Sequence, residues 1–296
     1  MADQAEGLRE LVREKNDGKN GHSGGNKINP SSRIITVTSG KGGVGKTNLA
    51  ANLAIAFTQA GRQTLIMDAD LGLANVNVVL GLIPPPRYNL SHVVEGKKKI
   101  EEIIADGPGG IRLIAGATGV TEVANLSQEE REGFISALSS LSDSTDCIIF
   151  DTGAGLSPNV LSFVLAADDV LLVTTPEPTA IADAYGMIKA VCRHNIEANI
   201  KLVVNRVSSV MEGKRVADRV VNIAGQFLNI RVEVLGYILE DQLVIKAVRQ
   251  QKPFFLAYPR SKATYGISHI MAKLIQTPEP SNGNGLQGFF KRLLGS

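Results

Sequence analysis

The stretch SGKGGVGKTN, residues 39–48, constrains this 296-residue chain more than any other. Gly40 to Thr47 fits G-x-x-x-x-G-K-T, a pattern that has meaning where a strand stops and a helix starts. The apolar run RIITVT (33–38) lies upstream, and Leu49, Leu53 and Phe57 recur downstream on one helical face that Gly61 closes. Gly40, Gly42, Gly43 and Gly45 let the backbone bend so that successive N–H groups and the helix N-terminus point at one anion. The loop from Gly40 through Asn48, Val44 included, is therefore a candidate nucleotide cradle. Lys46 would neutralise the β- and γ-phosphate oxygens, and Thr47 would offer its hydroxyl to Mg2+. A glycine-rich turn entering a helix for structural reasons alone needs no Lys-Thr pair. The second lysine, Lys41, has no role in this scheme.

Runs rich in Ile and Val alternate with helix-length amphipathic stretches: TLIMD (64–68), IRLIAG (111–116), CIIFD (147–151), DVLLVTT (169–175), KLVVN (201–205) and VEVLGYI (232–238). Their hydrophobicity is continuous rather than alternating, as in strands covered on both faces. The expected fold class is α/β: a three-layer P-loop NTPase fold with a mostly parallel central sheet flanked by helices on both faces. Residues 16–32 and 277–285 are Gly, Asn, Ser, Pro and Lys with almost no apolar side chains, and cannot offset the entropy of ordering. The expected organisation is an N-terminal segment 1–15, a linker 16–31, a domain over 32–276, a linker 277–285 and a C-terminal segment 286–296. A net charge of +2 argues against coating nucleic acid by charge alone. Cys147 and Cys192 are far apart, with no Cys-x-x-Cys and no histidine cluster, so neither a disulfide framework nor a zinc site is expected and a reducing cytosol fits. No run reaches the ~18 apolar residues of a spanning helix, which limits membrane contact to the surface.

Three further segments belong with the loop. In IFDTGAG (149–155) a strand ends in Asp151, placed to hold Mg2+ through its water shell, and Gly153 and Gly155 let the next loop move with a γ-phosphate. In MDADLGLAN (67–75) another ends in Asp68 and Asp70 on one strand face. One can brace the metal site, giving the metal set Thr47, Asp151 and Asp68, while the other orients an attacking water. In VVNRV (203–207) the Asn205 amide offers a donor and an acceptor to a purine edge; Arg206 departs from the N-K-x-D of guanine readers, so adenine is favoured. A plain turn role for Asn205 stays open.

In this order and spacing KGGVGKT, DADLGLAN and FDTGAG resemble the deviant Walker-A ATPases of the MinD/ParA group, across essentially the whole domain. The resemblance implies ATP and Mg2+ as cofactors and a slow, dimerisation-dependent hydrolysis. It also implies that Lys41 reaches across a two-fold interface to the ATP of a second copy, so that two nucleotides are shared between two chains. Asp70 is then the residue that positions water, with Lys41 and Lys46 stabilising charge. Glu177 in TTPEPT resembles a position that contacts the second copy's nucleotide. Leu239, Glu240 and Asp241 resemble the loop bordering the adenine, beside Asn205 and Arg206.

The tails discriminate within the group. GLQGFFKRLLGS (285–296) sets Leu286, Phe289, Phe290, Leu293 and Leu294 on one helical face and Lys291 and Arg292 on the other, as in helices that lie in a membrane surface. A helix docked on its own domain has the same pattern, and only the SNGNG spacer argues for separation. Burial of each large side chain is worth about 1.5–3 kcal/mol, but so short a helix hardly holds alone in water. One copy should bind weakly and two copies by avidity. At the other end DQAEGLRELVREK (3–15) lines up Ala5, Leu8, Leu11 and Val12 behind a capping-box pair, Asp3 and Glu6.

With TTPEPTAIADAYGMIK and RSKAT, these tails resemble the flagellar number and placement regulators of the group. That resemblance implies a cytoplasmic protein held peripherally at the inner face of the membrane when ATP-bound. Asp3, Gln4, Leu8 and Arg9 would stimulate the SRP-type GTPase FlhF, with further contacts to flagellar C-ring components and, in polar flagellates, a transcription activator. Cell-division regulators of MinD type lack the N-terminal segment. ParA-type partition ATPases carry a basic DNA-binding surface that nothing here concentrates, and cluster carriers need interface cysteines.

Overall fold

The computed structural model describes residues 32–70, 75–116, 127–277 and 285–294. The expected N-terminal partner segment, with Asp3, Gln4, Leu8 and Arg9, and the linker 16–31 lie outside the described residues, as does most of 277–285. Eight strands form one sheet: β1 (Arg33–Ser39), β2 (Thr64–Ala69), β3 (Ile104–Asp106), β4 (Arg112–Ile114), β5 (Cys147–Ala154), β6 (Asp169–Thr174), β7 (Ile200–Val207) and β8 (Glu233–Leu239). Their spatial order is β3-β4-β2-β5-β1-β6-β7-β8, and every pair is parallel except β3 with β4. The seven apolar runs are the seven parallel strands.

The inner strands are apolar on both faces because each face meets a different helix layer. Ile35 and Val37 of β1 join Ile66, Ile149, Leu171, Val203 and Leu235 beneath α1 (Lys46–Gln59). Ile34 joins Leu65, Met67, Ile148 and Phe150 on the opposite face. The helices that follow are α2 (Val76–Val79), α3 (Leu90–Val94), α4 (Gln128–Asp143), α5 (Pro158–Ala166), α6 (Pro178–His194), α7 (Val210–Leu228), α8 (Gln242–Arg249), α9 (Phe254–Ala257), α10 (Lys262–Gln276) and α11 (Gly285–Leu294). α1 departs from the one-sided helix its Leu49-Leu53-Phe57 spacing suggests, since every residue from Leu49 to Phe57 is buried. Its alanines allow close approach to the sheet and to α10, and its one buried polar side chain within that span, Asn52, donates to Asn48 O (2.7 Å) and accepts from Phe255 N–H (2.8 Å).

The C-terminal segment corrects an expectation. α11 does not stand apart from the domain: Leu286, Phe289 and Phe290 are fully buried between α4 and α5. Phe289 stacks on Phe150 at 4.4 Å, and Phe290 meets Phe134 edge-on at 5.6 Å. Arg292 donates from Nε to Ala166 O (2.9 Å) and pairs with Asp168 (3.2 Å). Leu293 and Leu294 pack less deeply against the same cluster, while Lys291 is exposed. The apolar face read as a lipid contact is here the face that completes the core, because the sheet offers an aromatic groove of matching chemistry.

Candidate functional site

β1 is central, and the loop after it opens at the C-terminal edge of the sheet, where ligands sit in open parallel sheets. Ser39 Oγ donates to Lys41 O (2.7 Å), and Gly43 and Gly45 adopt φ of 80° and 94°, conformations open to glycine. Gly45 is the residue before α1, so the first-turn N–H groups of Lys46 and its successors have no intrahelical acceptor and face the loop's hollow. Gly40 is needed for another reason: a Cβ there would run into the backbone carbonyl of Asp183 in α6.

Gly42 departs from the expectation that all four glycines are required by the bend. It is exposed, its φ is outside the left-handed region, and a Cβ on it would meet nothing within 4 Å. Nor does it line the cavity beside the loop, which Gly43 and Gly45 do. The fold of the single chain therefore sets no demand for glycine at Gly42, whereas it does at Gly40, Gly43 and Gly45. Gly40→Ala should displace the loop and lower nucleotide affinity at least tenfold. Titration with a fluorescent nucleotide checks this, and unchanged affinity would show that α6 yields.

The two lysines part company. Lys46 is 9% exposed and lies beside Asp151. Lys41 points out along the rim, where its Nζ donates to Glu177 Oε2 (2.8 Å) and Thr179 Oγ1 (2.8 Å) of the same chain. Glu177 precedes α6, and Lys41 beside it holds its carboxyl below the usual range. Glu177 thus contacts the loop's own lysine, a partner that spacing did not suggest; Thr179 carries no motif that could have singled it out.

Three carboxylates converge at the strand ends. Asp68 of β2 lies opposite Asp151 of β5 in register. Asp68 is buried, and its two oxygens accept from Asp70 N–H and Val76 N–H (both 3.1 Å), so it holds the backbone of both residues. Burial pushes its pKa up to about 6. Asp151 hydrogen-bonds the Thr47 side chain, burial pushes it up to about 7, and its Oδ1 is buried with no partner. A buried carboxylate oxygen left unpaired beside a Thr hydroxyl fits a hydrated divalent cation. Asp68, by contrast, has both oxygens on backbone amides, so its place is behind the metal position. Asp70 borders Gly153, where a Cβ would sit 3.4 Å from Asp70 Oδ1.

Unfolded, Asp68 and Asp151 ionise near 3.8; folded without nucleotide they hold protons to about 6 and 7. The folded state then binds more protons at these two sites, so their contribution to stability is greatest below about 4 and falls as pH climbs toward 7. A cation held by Asp151 would need that carboxyl ionised, so stabilisation by Mg2+ and nucleotide should grow over the same window. Thermal midpoints at pH 5.5 and 7.5, with and without Mg-nucleotide, check this; equal increments would contradict it.

Next to the loop lies a cavity of about 240 Å³ lined by Gly43, Gly45, Asn48, Asn205, Arg206, Leu239, Glu240 and Asp241, with Val244 and Phe254 as apolar wall. Sequence-derived residues from three separate segments therefore meet around one base-sized space. Several are already engaged, however. Asn205 Nδ2 donates to Val44 O (2.8 Å) and its Oδ1 accepts from Arg206 N–H (2.9 Å), which makes it a brace of the phosphate loop. Asp241 caps α8 through Leu243 N–H (2.9 Å) and accepts from Lys262 N–H (2.9 Å). Arg206 and Glu240 face each other at 3.9 Å.

Burial pushes the Cys147 thiol up to about 12, and among the described residues no cluster of His, Cys, Asp and Glu could hold a metal ion by itself. Among the described residues no helix is long and apolar enough to cross a membrane.

Residues 35–254 match the CobQ/CobB/MinD/ParA nucleotide binding domain. The chain is 40% identical over 263 residues to the antiactivator FleN of Pseudomonas aeruginosa, covering 88% of this chain and 93% of that one. It is 34% identical to the flagellum site-determining protein YlxH of Helicobacter pylori, covering 99% of each. Its fold is similar to that of the septum site-determining protein MinD complexed with Mg-ADP from Pyrococcus horikoshii, with a TM-score of 0.65 and 26% identity over 82% of this chain and 96% of that one.

Proposed function

The chain belongs to the MinD/ParA family of nucleotide-binding ATPases, on the branch of the flagellar regulators FleN and YlxH, and from that membership we propose an ATP-gated dimer that acts at the membrane surface. The observation that carries this reading is the division between Lys46, turned in beside Asp151, and Lys41, held on the rim by Glu177 and Thr179.

Lys46 and the first-turn amides of α1 hold the phosphates of the chain's own ATP. Thr47 and Asp151 would hold Mg2+, which would supply positive charge to offset that of the phosphates; Asp68 holds the backbone of Asp70 and Val76 behind them. Asp70 orients a water toward the γ-phosphate. The cavity beside Asn205 takes the adenine, with Leu239, Glu240 and Asp241 as its border. Lys41 and Glu177 are half-exposed, so their ion pair contributes little and is readily exchanged. In a pair of chains Lys41 leaves it for the phosphates of the second copy, and Glu177 is released toward that copy's nucleotide. Hydrolysis removes the charge Lys41 meets, and the pair separates.

One strand links this chemistry to α11. β5 carries Phe150 beneath Phe289 and, next along, Asp151 beside Thr47 and Lys46; the loop after it leads into α5, a wall of the α11 groove. We read the docked α11 as the form off the membrane. In the ATP dimer two copies of Leu286, Phe289, Phe290, Leu293 and Leu294 exchange that groove for lipid, with Lys291 and Arg292 at the headgroups. Residues 1–15 would stimulate FlhF, with Gln4 aiding its GTPase step, and C-ring components and a flagellar transcription activator are further partners.

Two alanine variants test the division of labour. Lys46→Ala should lose nucleotide binding altogether, whereas Lys41→Ala should bind ATP as a monomer and fail to pair, as read by titration and light scattering. A Lys41→Ala chain that pairs normally would overturn the proposal. Deletion of residues 2–12 should abolish stimulation of the GTPase while ATP turnover persists; undiminished stimulation would remove the N-terminal role.

A further inference from the structure

We propose that the groove filled by α11 has a second occupant in the same chain, residues 7–13, and that the two termini replace one another there. This rests on the reading that α11 leaves its groove. Docked, α11 offers the pattern Gly285-Leu286-x-x-Phe289-Phe290-Lys291, with Leu286, Phe289 and Phe290 fully buried. A pattern of the same residue classes, with smaller apolar side chains and arginine for lysine, stands at Gly7-Leu8-x-x-Leu11-Val12-Arg13. A helix over these residues would present Leu8, Leu11 and Val12 as α11 presents its three anchors.

The chain also enters the domain at the foot of this groove. Ser32 Oγ donates to Thr145 O (2.7 Å), just past the end of α4, and Ile34 N–H donates to Asp168 Oδ2 (2.9 Å). The other oxygen of Asp168 takes Arg292 of α11 (3.2 Å). A 10-residue helix spans about 15 Å, and the sixteen residues 16–31 extend to about 50 Å, so residues 7–13 reach the groove without strain.

Departure of α11 would bare Phe134, Phe150 and Phe163 to water, a contiguous apolar surface that proteins rarely leave uncovered. Leu11 and Val12 fill less volume than Phe289 and Phe290, and Glu10 falls where Gly288 is buried. The N-terminal segment is thus the weaker occupant and enters only when α11 is gone. By linkage, anything that captures residues 4–9 withdraws the substitute and draws α11 back from the membrane.

Amide hydrogen exchange of the full chain tests this. With ADP and no lipid, residues 5–13 should exchange at the unprotected rate. With a non-hydrolysable ATP analogue and phosphatidylglycerol-containing vesicles they should slow at least tenfold, while residues 134–138 and 160–166 stay protected. Leu8→Asp should abolish the slowing and speed exchange in both groove walls. A second arm needs no membrane: Phe289→Asp/Phe290→Asp should protect residues 5–13 without lipid, and Leu286→Asp serves if that pair unfolds the chain. Residues 5–13 that exchange fast in both arms overturn the proposal. So does protection on vesicles with groove walls indifferent to Leu8→Asp, which would place the segment in the lipid. Absence of vesicle binding would count against membrane recruitment and leave the second arm to decide the exchange.

Discussion

Asp70→Ala should lower ATP turnover by about 10²–10⁴-fold, the usual worth of a positioned proton acceptor, while leaving ATP binding and pairing in place. The carboxylate borders Gly153, beside the place proposed for the γ-phosphate, and its backbone N–H is held by Asp68. The proposed grip on the phosphates rests on Lys46 and the first-turn amides of α1, so affinity should survive. On the proposed reading hydrolysis ends the pair, so a chain that cannot hydrolyse should accumulate as ATP-bound dimer and stay on vesicles. Phosphate release and light scattering on the same sample check both halves. A variant that stays monomeric at saturating ATP, or that turns over normally, would contradict the assignment of Asp70.

Phe289→Ala should destabilise the ADP-bound chain by about 3–5 kcal/mol, the cost of truncating a fully buried aromatic. Phe289 stacks on Phe150 and touches Phe163, and little in the groove can collapse into its place. Denaturant unfolding reads the loss directly. A helix that lived apart from the domain would give almost none, so a change below about 1 kcal/mol would show that α11 does not complete the core. The cost also measures what lipid and pairing must offset to release the helix, which is why release should need two copies and ATP together.

The seven parallel strands were legible because a strand buried on both faces must be apolar throughout, and Ile34, Ile35, Ile148 and Ile149 obey that rule. β3 was not: three residues at an edge, Ile104–Asp106, leave no run to detect. The phosphate loop could be read because glycine, lysine and threonine have separate roles at fixed spacing, although the open surroundings of Gly42 are a property of the folded loop that spacing does not carry. Asn205 and Asp241 meet at one base-sized cavity, but their hydrogen bonds to Val44 and to Leu243 and Lys262 were hidden, because most of them join segments far apart in sequence. The docking of α11 escaped for a similar reason. Its amphipathic pattern is the same whether the apolar face meets lipid or Phe150 and Phe134, and only the tertiary groove decides. Lys41 was recognised as surplus to one nucleotide, yet its tether to Glu177 and Thr179 joins residues 136 and 138 positions apart.

Sedimentation equilibrium of the purified chain, with ADP and with a non-hydrolysable ATP analogue at saturating Mg2+, bears most directly on the idea that Lys41 meets the nucleotide of a second copy. The mass should be that of one chain with ADP and of two with the analogue, and Lys41→Ala should remain single in both. One chain under every nucleotide, at concentrations well above micromolar, would contradict the account.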